Sequence, residues 1–142
     1  MKYRYSIAAG AVLFATIPMA ALATDLRIVA SDEEREIVTD VDTIKDVAGS
    51  HHEAWFITTY NEPRRISDDG PTFRVRFARI FFRCMNITAS ISKLKLYADE
   101  AAVKTMTPVA QDDYPVIWRR VDINTDVGLM WKYICTKGWE GD

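Results

Sequence analysis

The side chains able to do chemistry in this chain are few, and their spacing restricts them. His51-His52-Glu53 has the residue types of a metal site. Adjacent side chains on an extended backbone point to opposite faces, however, and no further ligand stands at a useful spacing. The trio therefore reads as the polar approach to a strand. The acid pairs Asp68-Asp69 and Asp112-Asp113 sit beside Gly or Pro, where turn chemistry accounts for them. There is no glycine-rich phosphate loop and no serine in a nucleophile-elbow setting in the sequence. No catalytic residue, cofactor-binding residue or metal ligand is assigned, and an enzyme is not expected. Asn86-Ile87-Thr88 matches a glycosylation sequon, a pattern too common by chance to carry weight without a glycosylating host.

Two cysteines, Cys84 and Cys135, are the only ones. The chain opens with Lys2 and Arg4, an apolar run from Ile7 to Ile17, a break at Pro18 and the small-residue exit Ala21-Leu22-Ala23. That is the order of a cleavable secretory signal over residues 1–23, and the apolar core is too short to span a bilayer comfortably. Cleavage before Thr24 leaves a domain of residues 24–142, exported to the periplasm, the cell surface or the medium, with no membrane span. No cysteine follows the cut, so a lipid-modified N-terminus is not expected. An oxidising destination and an even cysteine count predict a Cys84–Cys135 disulfide rather than a metal pair.

Loss of Lys2 and Arg4 leaves 16 basic against 20 acidic side chains, taking the formal charge from −2 to −4. General nucleic-acid affinity needs basic surface to displace counterions, so nucleic acid is not expected as a partner. Arginines do cluster locally, at positions 64, 65, 74, 76, 79 and 83. They suit either a solvated sheet face that resists edge pairing or contact with an anionic partner such as a carboxylate-rich protein surface.

Strands must position these residues. Leu26 to Val29 and Glu36 to Thr39 read as a hairpin across Asp32-Glu33-Glu34, and Asp40 to Gly49 as a turn or single helical turn. Trp55 to Tyr60 has the composition of a central strand, ended by Asn61-Glu62-Pro63. From Phe73 to Cys84 arginines alternate with Phe73, Val75 and Phe77, then apolar residues occupy both parities from Ile80. Either a bulge lies near Ala78 and Arg79 or both faces are partly covered. Ala89 to Tyr97 and Ala101 to Val109 read as further strands. With no crossover helix between them the sheet is antiparallel. Val127, Met130, Trp131, Ile134 and Cys135 fall at helical spacing, with Asn124, Thr125 or Asp126 as cap and Gly138 as stop.

The fold class is therefore α+β: a single antiparallel β-sheet of about six strands with a C-terminal α-helix packed on one face and held by the disulfide. A Cys84 that reaches the helix puts Ala78, Ile80 and Phe82 on that face, and Phe77, Arg79, Phe81 and Arg83 on the other. Aromatics among arginines are the composition of interface cores, which makes these four a candidate protein contact, as a homodimer or a partner site. A bulge that turns Phe77 inward, or a loop over both rings, is the alternative.

The chain resembles the surface-adhesin protein E family of small exported bacterial proteins. The resemblance rests on Ala54-Trp55-Phe56-Ile57-Thr58-Thr59-Tyr60-Asn61-Glu62-Pro63, on Ala78-Arg79-Ile80-Phe81-Phe82-Arg83-Cys84 and on the closing helix that ends in Cys135. It implies an antiparallel sheet with the helix on its concave side, and a role in binding host or matrix proteins without catalysis. A soluble periplasmic accessory or stress-related protein with an endogenous partner is the alternative function.

Overall fold

The computed structural model describes residues 25–140. The expected signal and its cleavage point before Thr24 lie outside the described residues. Eight strands, β1 (Leu26–Ser31), β2 (Arg35–Asp40), β3 (Lys45–Val47), β4 (His51–Arg65), β5 (Thr72–Arg83), β6 (Thr88–Tyr97), β7 (Ala110–Asp113) and β8 (Arg119–Arg120), form one sheet. Its path is β1-β2-β4-β5-β6-β7, with β3 on β4 and β8 on β6. Every pairing is antiparallel. The helices are α1 (Glu100–Lys104) and α2 (Asp126–Cys135). No helix among the described residues is long and apolar enough to cross a membrane.

The first hairpin is closed by its acid: Asp32 Oδ1 accepts from the backbone N–H of Glu34 (2.8 Å) and Arg35 (3.0 Å). This Asx turn fixes the connection that the charged triplet marks. The helical turn between Asp40 and Gly49 is the 3-10 segment Val41–Thr43, capped by Asp40. Two expectations need correction. Pro63 does not end β4; the strand runs on to Arg65, because its register with β5 shifts between Thr59 and Arg64. A bulge is one of the few places where a sheet tolerates proline. Ala101 to Val109 is not a strand. Asp99 caps α1 there, its carboxylate accepting from Ala102 N at 2.9 Å, with Glu100 in the first turn and Lys104 in the last. Capping and charge placement outweigh the β-branched composition.

β5 stays in register with β4 from Val75 to Phe82. The irregularity near Arg79 belongs to its other neighbour: Arg79 pairs with Lys93 and Ile80 with Ile91, so Ser92 is the extra residue and its hydroxyl donates to Arg79 O (3.2 Å). Alternation along β5 therefore holds, and both faces are partly covered. One face carries Ile37, Ala54, Phe56, Ala78, Ile80 and Phe82 against Met130 and Ile134 of α2. The opposite face carries Val38, Ile57, Val75, Phe77 and Tyr97 against Val103 of α1. Burying apolar area on both sides is the main stabilising term for so thin a domain.

α2 is fastened at both ends and in the middle. Thr125 is its cap, with Oγ1 accepting from Gly128 N at 3.2 Å. Asp126 in its first turn forms an ion pair with Arg35 and accepts from the Tyr60 hydroxyl at 2.8 Å. Burial pushes the Tyr60 hydroxyl above its ordinary pKa, Arg76 opposing and Asp126 adding to the rise. At the far end Gly138 N donates to Tyr133 O (2.8 Å) and Lys137 N to Ile134 O (3.2 Å). That is a Schellman stop with Lys137 at φ 55° in the left-handed position. Gly138 follows it and is needed for space, since a Cβ there would stand 2.8 Å from the Tyr133 ring. The Cys84–Cys135 disulfide, with Cα atoms 5.5 Å apart, ties the last turn to the end of β5. Trp131 Nε1 donates to Arg83 O nearby at 3.2 Å.

Candidate protein-contact face

The sheet face away from α2 divides into a covered half and an open half. Phe77 belongs to the covered half. It is 2% exposed, meets Tyr97 edge to face at 5.3 Å and lies in the cluster that α1 closes. The structure thus separates Phe77 from Arg79, Phe81 and Arg83. Those three stand together on the open half, opposite Glu53 and near His51 of β4.

Phe81 is 8% exposed, its ring roofed by its neighbours. The His51 ring is 4.7 Å away and the Arg79 guanidinium 5.0 Å. Arg79 Nη2 donates to Glu53 Oε1 at 2.5 Å, and Glu53 Oε2 meets His51 Nε2 at 3.3 Å. Burial alone would push the Glu53 carboxyl up. The Arg79 hydrogen bond and charge, with those of His51 added, outweigh it and hold the carboxyl below the ordinary range. His51 and His52 take opposite faces, as strand alternation requires: His52 Nδ1 lies 3.7 Å from Asp46 on β3. Among the described residues no three His, Cys, Asp or Glu side chains gather as a metal site would need.

The residue that completes this face is Trp118. It stands on the segment between β7 and β8, half-buried, with its ring 5.7 Å from His51. The Arg83 guanidinium lies over it at 4.0 Å, a cation–π geometry on the aromatic that favours it most. Lys93 flanks the open half from β6 opposite Arg79, 3.8 Å from Asp113, while Lys95 pairs with Phe77 in the covered half. Arg83 and Lys95 have no carboxylate partner among the described residues. What results is a floor of one buried and one half-buried aromatic and an imidazole, carrying the Arg79 and Arg83 guanidiniums. Sequence reasoning passed over Trp118. Its signal was the run Tyr114-Pro115-Val116-Ile117-Trp118-Arg119-Arg120, which combines aromatic, aliphatic and arginine side chains without a clear period.

With sheet, helix and disulfide in place, comparison with known families is informative: the model of surface-adhesin protein E matches residues 26–136. The chain belongs to the surface-adhesin protein E family. The match runs from β1 to just past α2, so it takes in both cysteines and every element described above. No curated protein and no solved structure matches the chain. Membership in surface-adhesin protein E makes this an adhesin-like protein and points to export and a protein ligand.

Proposed function

We propose that this surface-adhesin protein E homologue is an exported, non-enzymatic binding module that docks a protein ligand on the open half of its outer face. The supporting observation is the pair of cation–aromatic contacts, Arg83 over Trp118 and Arg79 over Phe81, on the part of the outer face outside the cluster that α1 closes. Tryptophan and arginine dominate binding energy at interfaces because they bury large areas while keeping a charge or donor in reach. Such a pair, half desolvated before any partner arrives, loses little freedom on docking. The preferred partner presents a carboxylate toward Arg83.

The test uses the purified protein against immobilised extracellular-matrix glycoproteins, comparing wild type with Trp118→Ala and Arg83→Ala. Each variant keeps its fold and loses binding by roughly tenfold or more, the range of an interface hot spot. Undiminished binding by both variants removes this face from consideration. Fractionation of the producing cell is the companion measurement. Surface or medium agrees with adhesion, whereas retention in the periplasm redirects the search to an endogenous partner.

A further inference from the structure

The antiparallel register sets the charges of the open half in rows. Arg83 on β5 pairs with Thr88 on β6, and Thr88 pairs with Arg120 on β8, so the two arginines share one face with a neutral residue between them. The Thr88 hydroxyl is engaged locally, donating to Asn86 Oδ1 at 2.7 Å. Arg119 pairs with Ala89 and turns to the α2 side, where it lines an apolar groove of about 510 Å³ with Ile91, Leu94 and Val127. Its charge is therefore absent from the outer face.

The Arg83 guanidinium leans away from its own strand. It lies 4.0 Å from the centre of the Trp118 ring, and Trp118 precedes Arg120 by two residues, a same-side step of about 6–7 Å along an extended chain. One positive charge is thus held at the position of Trp118, and a second stands one step further on. Two other cations of this half are already answered, Arg79 by Glu53 at 2.5 Å and Lys93 by Asp113 at 3.8 Å. Arg83 and Arg120 meet no carboxylate among the described residues. Like charges on neighbouring positions repel, and a pair of carboxylates set at the same step relieves both through charge-assisted hydrogen bonds.

Acids limit how long the anion can be. Asp113, with a side chain 76% exposed, precedes Trp118 on this segment, and Asp122 follows Arg120 by two residues. An extended polyanion such as a sulfated glycan, or an anionic membrane surface, runs onto these carboxylates, whereas two negative charges fit between them. At physiological salt exposed charges act over about 8 Å, so the local pair decides what docks. We infer, on the reading of the open half as a protein contact, that its ligand presents an acidic pair at i and i+2 of an extended segment: one carboxylate docks on Arg83 beside Trp118 and the other on Arg120.

NMR titration of the purified protein with end-blocked pentapeptides, read at the Trp118 indole N–H, tests this. Gly-Glu-Thr-Glu-Gly binds roughly four- to twentyfold more tightly than Gly-Gln-Thr-Gln-Gly, as two exposed charge contacts of roughly two- to fivefold each predict. It also binds more tightly than Gly-Glu-Glu-Thr-Gly, whose adjacent acids point to opposite sides. Arg120→Gln, at an exposed position, keeps the fold, lowers affinity for Gly-Glu-Thr-Glu-Gly roughly two- to fivefold and leaves Gly-Gln-Thr-Gln-Gly unchanged. Equal affinity for the two acidic peptides, no measurable binding of either at millimolar concentration, an Arg120→Gln affinity equal to wild type, or binding of heparin oligosaccharides or anionic vesicles alone overturns the acidic pair. Matrix-glycoprotein binding separates that failure from failure of the face itself. A loss with Trp118→Ala and Arg83→Ala but none with Arg120→Gln keeps the contact face and refutes the acidic pair, whereas no loss with any of the three refutes both.

Discussion

Gly128 is the glycine whose replacement tests the packing of α2 most directly, because two physical effects give opposite signs. Alanine in place of glycine inside a helix should stabilise by about 1 kcal/mol through propensity. At Gly128, however, an ideal Cβ would stand 2.5 Å from the Cα and 2.6 Å from the carbonyl carbon of Ile123. Ordinary carbon contacts are roughly 3.5–4.0 Å, so the methyl intrudes by about 1 Å. The obstacle is backbone, and it is held: Asp122 O accepts from both Thr125 N (3.1 Å) and Thr125 Oγ1 (2.6 Å). No side chain can swing aside, so α2 must retreat from a core in which Met130 and Ile134 are fully buried. Overpacking costs about 1–3 kcal/mol, and a backbone obstacle belongs near the top of that range. Set against the propensity gain, the net loss for Gly128→Ala is about 2 kcal/mol. Urea unfolding followed by tryptophan fluorescence reads this as a fall in midpoint of about 1 M at unchanged slope, for a slope near 2 kcal/mol/M. An equal or higher midpoint would refute the claim that α2 seats through this glycine.

Phe77→Ser should unfold the domain or cost at least roughly 3–5 kcal/mol, as for a buried aromatic truncated in a core; circular dichroism on wild type, Phe77→Ser and Trp118→Ala separates the covered half of the face from the open half. Cys135→Ser should raise hydrogen exchange in α2 well before the Trp55 to Tyr60 stretch of β4, because the sheet keeps its ladder while the helix loses a closure worth about 4 kcal/mol on the chain-entropy model. Glu53 has a folded pKa below its unfolded one, so its contribution is present above the unfolded value and lost as pH falls through the folded one. Wild type should therefore lose more urea stability than Glu53→Gln between pH 7 and pH 3. Intact-mass measurement on the exported protein should give a chain starting at Thr24 with no free thiol, gaining two hydrogens on reduction.

The parts of this fold that were legible in the sequence are those set by short-range rules. Alternation along Phe73 to Cys84 assigns Ala78, Ile80 and Phe82 to the side of α2, and the spacing of Val127, Met130, Trp131 and Ile134 gives the helix that meets them. Thr125 caps that helix as its type suggests. What stayed hidden depended on tertiary contacts. Phe77 is covered by a helix of one and a half turns, and so short an element leaves little periodic signal. Its start was marked by Asp99, whose capping role only the Ala102 hydrogen bond reveals. Trp118 sits in a stretch without period, and its place beside His51 and Arg83 follows from β6 pairing with both β7 and β8.

That last pairing explains why one irregular segment builds two different surfaces. After β7 leaves β6 at Asp113, the chain stays tied to the same strand through Tyr114 N to Ser92 O, Ile117 N to Ser90 Oγ and then the β8 ladder at Ala89 and Thr88. A chain held along a strand in this way keeps something close to strand alternation. Ile117 and Arg119 consequently enter the groove on the α2 side, while Trp118 between them reaches the opposite face and receives Arg83. A regular strand at this edge would offer unpaired N–H and C=O groups to any passing chain. Here Pro115 removes a donor, and the Ile117 N–H is spent on a serine hydroxyl. The same irregularity that makes the segment poor at β-pairing therefore leaves its side chains, rather than its backbone, as the groups available for recognition.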